Sequence, residues 1–233
     1  FNGVTENSID SVSDRDYIVE FLAAASMLMM HLSRMAEEMI VWSSSEFGFV
    51  RLSDEYSTGS SMMPQKKNPD SFELIKGKTG RVYGGLVALL TVLKGLPLAY
   101  CRDLQEDKEP LFDAVRTVGA SLGIAEGAMR TCIFDTSRMA AVMDTSMYAT
   151  DTADYLTMKG VPFRDAHEIA GRLVARAQSE GVTLSDLPLD VFREYSELFG
   201  GDVKDLFDPA ASTGRRSVHG GTARESLLAQ IEH

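Results

Sequence analysis

Ser57-Thr58-Gly59-Ser60-Ser61-Met62-Met63-Pro64-Gln65-Lys66-Lys67-Asn68-Pro69-Asp70 is the one long stretch with neither helical nor strand periodicity, and it sits between two long apolar helical patterns. A compact domain keeps so long an irregular connection when the loop works or is disordered. Gly59 and the serines supply a flexible backbone with hydroxyls and free N–H groups. Lys66 and Lys67 add two positive charges to an otherwise acidic chain. Asn68-Pro69-Asp70 then reads as a helix start, with Asn at the N-cap and Pro at the first helical position. A helix N-terminus beside two lysines is a place to hold a carboxylate or phosphate. A mobile basic surface loop accounts for the same composition.

Outward from the loop, both flanks are helical. From Tyr17 the residues Phe21, Ala25, Leu28, Leu32, Met35, Met39 and Trp42 recur at spacings of four and three. That is a heptad seam on a helix of roughly 40 Å, and its many methionines read as packed core. After the loop, Phe72, Ile75, Thr79, Val82, Leu86, Leu89 and Leu93 repeat the pattern, with Gly77, Gly80, Gly84 and Gly85 implying close backbone packing. Leu111, Val115, Val118, Leu122, Ala125, Met129 and Ile133 make a third seam. Three such helices in series predict an all-α long-helix bundle with core surface left for partner chains; a monomeric antiparallel bundle is the alternative. Residues 1–16 read as polar and irregular, with Asp14 or Asp16 opening the first long helix, and residues 47–52 as extended or a short strand.

Near Thr136 the helices shorten and turn signals crowd together. We therefore expect residues 1–136 to form the bundle domain and residues 137–233 a small C-terminal helical domain. Residues 163–179 predict an amphipathic helix, and Thr222 to Glu225 a capping box before the last helix. His31 reads as structural, and His167 and His219 as interior structural histidines.

Composition narrows the function. A net charge of −11 and a pI near 4.8 argue against nucleic acid and anionic membrane surfaces as partners, and favour a small anionic substrate for the cationic loop. Hydrophobic content of 44% permits a substantial core. Two cysteines without metal-type spacing suit a reduced, cytoplasmic setting and no metal site. No stretch reaches the ~18 uninterrupted apolar residues of a membrane span. Starting at Phe1 without a methionine or a basic–apolar leader, the chain is expected to be the later portion of a longer protein.

The run from Gly59 to Asn68 fits the G-S-S-x-M-P-x-K-x-N signature and thereby resembles the fumarase/aspartase superfamily, whose members eliminate a leaving group from a succinyl unit and release fumarate. Its extension to Asp70, and the later Tyr100-Cys101-Arg102-Asp103-Leu104-Gln105-Glu106-Asp107-Lys108-Glu109, resemble the argininosuccinate lyases most. The resemblance covers essentially the whole chain, from Thr5-Glu6-Asn7-Ser8 to residues 220–224. It implies cleavage of argininosuccinate to arginine and fumarate by anti β-elimination, without metal or organic cofactor, in a homotetramer whose active sites are shared between subunits. A different superfamily lyase, such as one acting on adenylosuccinate, and a non-catalytic crystallin-like relative are the rivals.

By that resemblance Ser60 is the catalytic base, and Lys66 and Asn68 bind a substrate carboxylate, unless Asn68 is spent capping the helix. Glu73 matches the glutamate that pairs with an active-site histidine. Tyr100, Gln105 and Lys108 match substrate-contacting positions, although unaided the run 102–109 reads as solvated. Arg15 lies in a segment resembling the active-site wall. The family's first domain, with its T-x-x-H-x-Q histidine motif, has no counterpart, so the 233 residues alone are expected to be an incomplete enzyme. From first principles a serine is a poor base. Its activation requires positive charge, oriented N–H groups and exclusion of water, which suits a glycine–serine lid that closes on substrate.

Overall fold

The computed structural model describes residues 3–64 and 66–232; Phe1, Asn2, Gln65 of the loop and His233 lie outside the described residues. The chain divides into two compact units, one ending at Ala140 and one beginning at Ala141.

In the first unit three long helices run in sequence: α2 (Asp16–Ser43), α3 (Asp70–Leu93) and α4 (Lys108–Thr131). A short α1 (Ser8–Ser13) precedes them. It corrects the expectation of an irregular start, because the Asn7 side chain accepts the N–H groups of Ile9 and Asp10 and so caps a turn that apolar periodicity does not advertise. α2 and α3 pack along most of their length, and α4 packs on α3.

The upper core joins Ile18, Leu22, Ala25 and Met29 of α2 to Val82 and Leu89 of α3 and Ala114 and Val118 of α4. The lower core joins Ala36 and Met39 to Phe72, Ile75, Ala125 and Ala128. Burying a side chain the size of Leu22 or Phe72 contributes about 2–3 kcal/mol. The α3 seam is as expected. Those of α2 and α4 hold at Ala25, Met39, Val118 and Ala125, which are buried, and are corrected elsewhere: Phe21, Leu28, Val115, Leu122 and Ile133 are exposed. Both helices carry two apolar stripes, and the residues one position along, Leu22 and Met29 or Ala114 and Ser121, face the interior. Of the α2 methionines, Met29 and Met39 are core while Met27 and Met30 are exposed. The α3 glycines also differ from expectation. Only Gly85 touches a neighbour, Pro110, while a side chain at Gly77, Gly80 or Gly84 would meet open space.

α2 is long and apolar enough to cross a membrane by length and composition alone, but one full stripe of it is spent in this core. Two small antiparallel ladders complete the unit: β1 (Val50–Arg51) with β4 (Ile133–Phe134), and β2 (Thr58–Gly59) with β3 (Lys67–Asn68). α5 (Thr136–Ala141) follows.

The second unit holds α6 (Ala149–Met158), α7 (Phe163–Glu180), α8 (Leu189–Tyr195), α9 (Pro209–Gly214) and α10 (Arg224–Ile231). Its core gathers Leu156, Ala166, Ala170, Leu173, Phe192, Phe199 and Leu206. Buried Asp151 is met by Arg215, Arg216 and the Ser212 hydroxyl, which offsets the cost of an interior charge. Two expectations are corrected here. The capping box at Thr222 does not form: the N-cap is Ala223, extended at φ −61° and ψ 147° and without a side-chain cap, so the helix starts one residue later than the box requires. His167 and His219 are exposed rather than interior, and His31 of the first unit is exposed as well.

Candidate functional site

The 57–70 loop is a small hairpin rooted on the bundle. Thr58 pairs with Asn68 and Gly59 with Lys67, so Ser60 and Lys66 leave the last pair on opposite arms. The roots are tied: Ser71 at the start of α3 donates its hydroxyl to the Tyr56 carbonyl at 2.7 Å, and the Thr58 hydroxyl donates to Asp70. Lys67 is paired with exposed Asp54, a contact water weakens. Lys66 is exposed and has no ion pair among the described residues.

The ladder corrects the reading of Asn68 as an N-cap. Its backbone is held extended opposite Thr58, so α3 begins at Asp70 with Pro69 at the cap and no side-chain cap bond. Among the described residues the Asn68 amide has no hydrogen bond, which leaves it available to a ligand.

At the tip, Ser60 Oγ accepts the backbone N–H groups of Met62 at 3.2 Å and Met63 at 3.1 Å. Two N–H dipoles converging on one oxygen favour its deprotonated form, the condition a serine base needs. Glu73 stands exposed on the first turn of α3, near the positive end of that helix dipole.

The other candidates stand at the opposite end of the bundle. Ala99, with φ +69°, is in the left-handed region, which costs a side-chain-bearing residue about 1 kcal/mol, and it turns the chain into exposed Tyr100. Residues Arg102–Asp107 form a 3₁₀ turn leading into α4. There the expectation of a merely solvated run is corrected, since Leu104 and Asp107 are buried. Asp107 takes Arg15 Nε–H at 2.5 Å and Lys108 Nζ at 2.9 Å. Burial pushes this carboxyl upward, but the hydrogen bonds and charges of Lys108 and Arg15 outweigh it and hold the group below the usual carboxylate range. Sequence reasoning missed Asp107 because its partner lies 92 residues away. The segment around Arg15 was the only signal.

The two groups do not meet within one chain. Pro110 packs on Gly85, which is twelve residues from Glu73 and hence about 18 Å along α3. Gln105 lies farther along, in a turn that packs on α3 near Ala88 and Val92, and Tyr100 follows the end of that 24-residue helix, about 36 Å long. Two clefts mark the unit. One of about 500 Å³ is lined by Ser43, Arg51, Phe134 and Asp135, and one of about 510 Å³ by Arg81, Glu106, Pro110 and Asp113. Neither includes Ser60, Lys66, Asn68 or Glu73. A small ligand can touch only one group at a time in a single chain.

Comparison with known proteins follows the same lines. Residues 1–84 match a family model described as lyase, and residues 146–213 one described as argininosuccinate lyase C-terminal. The chain is 58% identical to an argininosuccinate lyase of Roseiflexus sp. (strain RS-1), over 98% of this chain and 50% of that protein. It is 56% identical to argininosuccinate lyase 2 of Shouchella clausii, over 97% and 49%. An EDDS lyase variant solved with bound fumarate superposes with a TM-score of 0.86 at 29% identity, over 100% of this chain and 48% of that one. The chain thus spans about half the length of the curated relatives it matches. By the loop, the long-helix bundle and these likenesses together, the chain belongs to the argininosuccinate lyase family of the fumarase/aspartase superfamily.

Proposed function

We propose that this chain carries the proton-abstracting part of an argininosuccinate lyase active site, in which arginine is eliminated from argininosuccinate to leave fumarate. The observation that carries the reading is Ser60 Oγ held by the Met62 and Met63 N–H groups at the tip of a hairpin that also bears Lys66 and Asn68.

As an alkoxide, Ser60 takes the proton from the succinyl carbon adjacent to a carboxylate. Lys66 and the Asn68 amide meet the negative charge that gathers on that carboxylate, and such preorganised donors are worth several kcal/mol at the transition state. The electron pair then forms the carbon–carbon double bond as the carbon–nitrogen bond breaks, and an acid protonates the departing nitrogen. In this reading Glu73 pairs with a histidine supplied by another chain, and Tyr100, Gln105 and Lys108 of a further chain grip the arginine-bearing end.

The wide separation of the two residue groups supports a composite site in a homotetramer. So do the exposed apolar residues Tyr83, Val87 and Leu90 on α3 and Val115 and Leu122 on α4. The 233 residues by themselves are inactive on this reading. A cytoplasmic setting suits the substrate and the two free thiols.

The test is spectrophotometric fumarate release by the intact protein, with argininosuccinate and adenylosuccinate offered in turn. Release from argininosuccinate alone is expected. Release only from adenylosuccinate, or from neither, overturns the reading.

A further inference from the structure

We propose that Asp107 is a positioning residue: its carboxylate, fixed from within by Arg15, aims the Lys108 ammonium at an anionic group of the substrate. This rests on the lyase reading and deepens it.

The geometry is asymmetric. The Asp107 side chain is 4% exposed and Arg15 14%, whereas Lys108 is 60% exposed. Arg15 is spent inward, its Nε–H on Asp107 and its Nη1 on the carbonyls of Asp14 at 2.7 Å and Val12 at 3.4 Å. Lys108 gives one of its three protons to Asp107 Oδ1 and keeps the others for solvent or a ligand.

Adjacent residues of a helix do not normally face one another. These two do because Asp107 closes a 3₁₀ turn and Lys108 opens α4. A free lysine loses rotamer entropy when it is fixed, and a tether to a rigid, buried carboxylate meets part of that loss before ligand arrives.

Charge alone makes the opposite prediction. Removing Asp107 raises the local charge from +1 to +2, counting Arg15, Lys108 and Asp107, and a pure field effect would tighten anion binding. Positioning loosens it.

The experiment must separate this role from support of Arg15. The double variant Arg15→Met/Asp107→Leu, made in the intact protein, removes both interior charges together and leaves no uncompensated one. We expect a melting temperature near that of the wild type, KM for argininosuccinate raised roughly tenfold, and kcat within about threefold. In a Lys108→Met background the same pair of changes should raise KM no further, because the effect passes through Lys108.

Should the double variant fail to fold, Asp107→Glu serves. It keeps charge and partner but shifts the acceptor by one methylene, and KM should rise at unchanged melting temperature. A folded double variant with wild-type or lowered KM overturns the assignment while leaving the lyase reading intact, as does Asp107→Glu with wild-type KM. A wild-type protein that releases no fumarate overturns both.

Discussion

Ser71 Oγ donates to the carbonyl of Tyr56 at 2.7 Å, so the loop that carries Ser60 leaves and rejoins the bundle at one point. The tie is short and half-buried, as is Ser60, whereas residues 61–64 and Lys66 of the tip are exposed. A lid of this kind has a fixed root and a free end. Ser71→Ala should cost about 1 kcal/mol of stability for the lost hydrogen bond. If the root governs closure, kcat should fall several-fold while the helical circular-dichroism signal is unchanged. Equal kcat in the two proteins would show that the tie is merely structural.

Ser60→Ala removes the proposed base but none of the ladder pairs, which are made by backbone groups at Thr58, Gly59, Lys67 and Asn68. We expect kcat to drop by roughly a thousandfold or more with the melting temperature and oligomeric state retained. Light scattering and a thermal melt check the second half of that statement. Turnover within a few-fold of wild type would remove Ser60 from the mechanism.

How much of this was legible in the sequence depended on how local the cause was. The α3 seam could be read because that helix packs with α2 on one side and α4 on the other, and Phe72, Ile75, Val82 and Leu89 form one unambiguous stripe. In α2, Phe21 and Leu22 are both apolar neighbours on different stripes, so periodicity gives a helix but not its inward phase. Asn68 looked like a cap because Asn-Pro-Asp is a capping sequence. The pairing of Asn68 with Thr58, ten residues earlier, decided otherwise. Asp107 carried no local signal at all, since a charged run is normally solvated and its partner Arg15 belongs to another helix end. For the site, the motif residues were readable through resemblance. Their segregation to opposite ends of the bundle followed only from the length of α3.

Gly127 of α4 provides a steric test of the loop's foundation. A methyl group there would run into the ring and hydroxyl of Tyr56, the residue whose carbonyl receives Ser71. Gly127→Ala gains helix propensity of up to ~1 kcal/mol, but overpacking of this kind costs typically 1–3 kcal/mol. The net expectation is a modest loss of stability together with reduced kcat, because Tyr56 must swing aside and take the loop root with it. A Gly127→Ala protein that is more stable and fully active would mean that Tyr56 moves without consequence.

Acid should weaken the first unit through two ion-paired carboxylates. Burial alone would raise Asp107, but Lys108 and Arg15 hold it below the usual carboxylate range, and Arg81, bonded bidentately at 2.5 and 2.6 Å, does the same for Asp113. A carboxyl depressed in the folded state binds its proton more readily once unfolded. Its contribution is therefore complete above the ordinary carboxylate value of about 4 and is lost as pH falls below that toward the folded value. Melting temperature should accordingly hold from about pH 7 to about pH 5 and then decline. Asp113→Asn and Arg15→Met/Asp107→Leu should each flatten part of that decline, because the proton-linked group is gone. If both variants lose stability with acid as steeply as the wild type, other groups carry the acid response and the pairing of Asp107 with Arg15 and Lys108 contributes little to the fold.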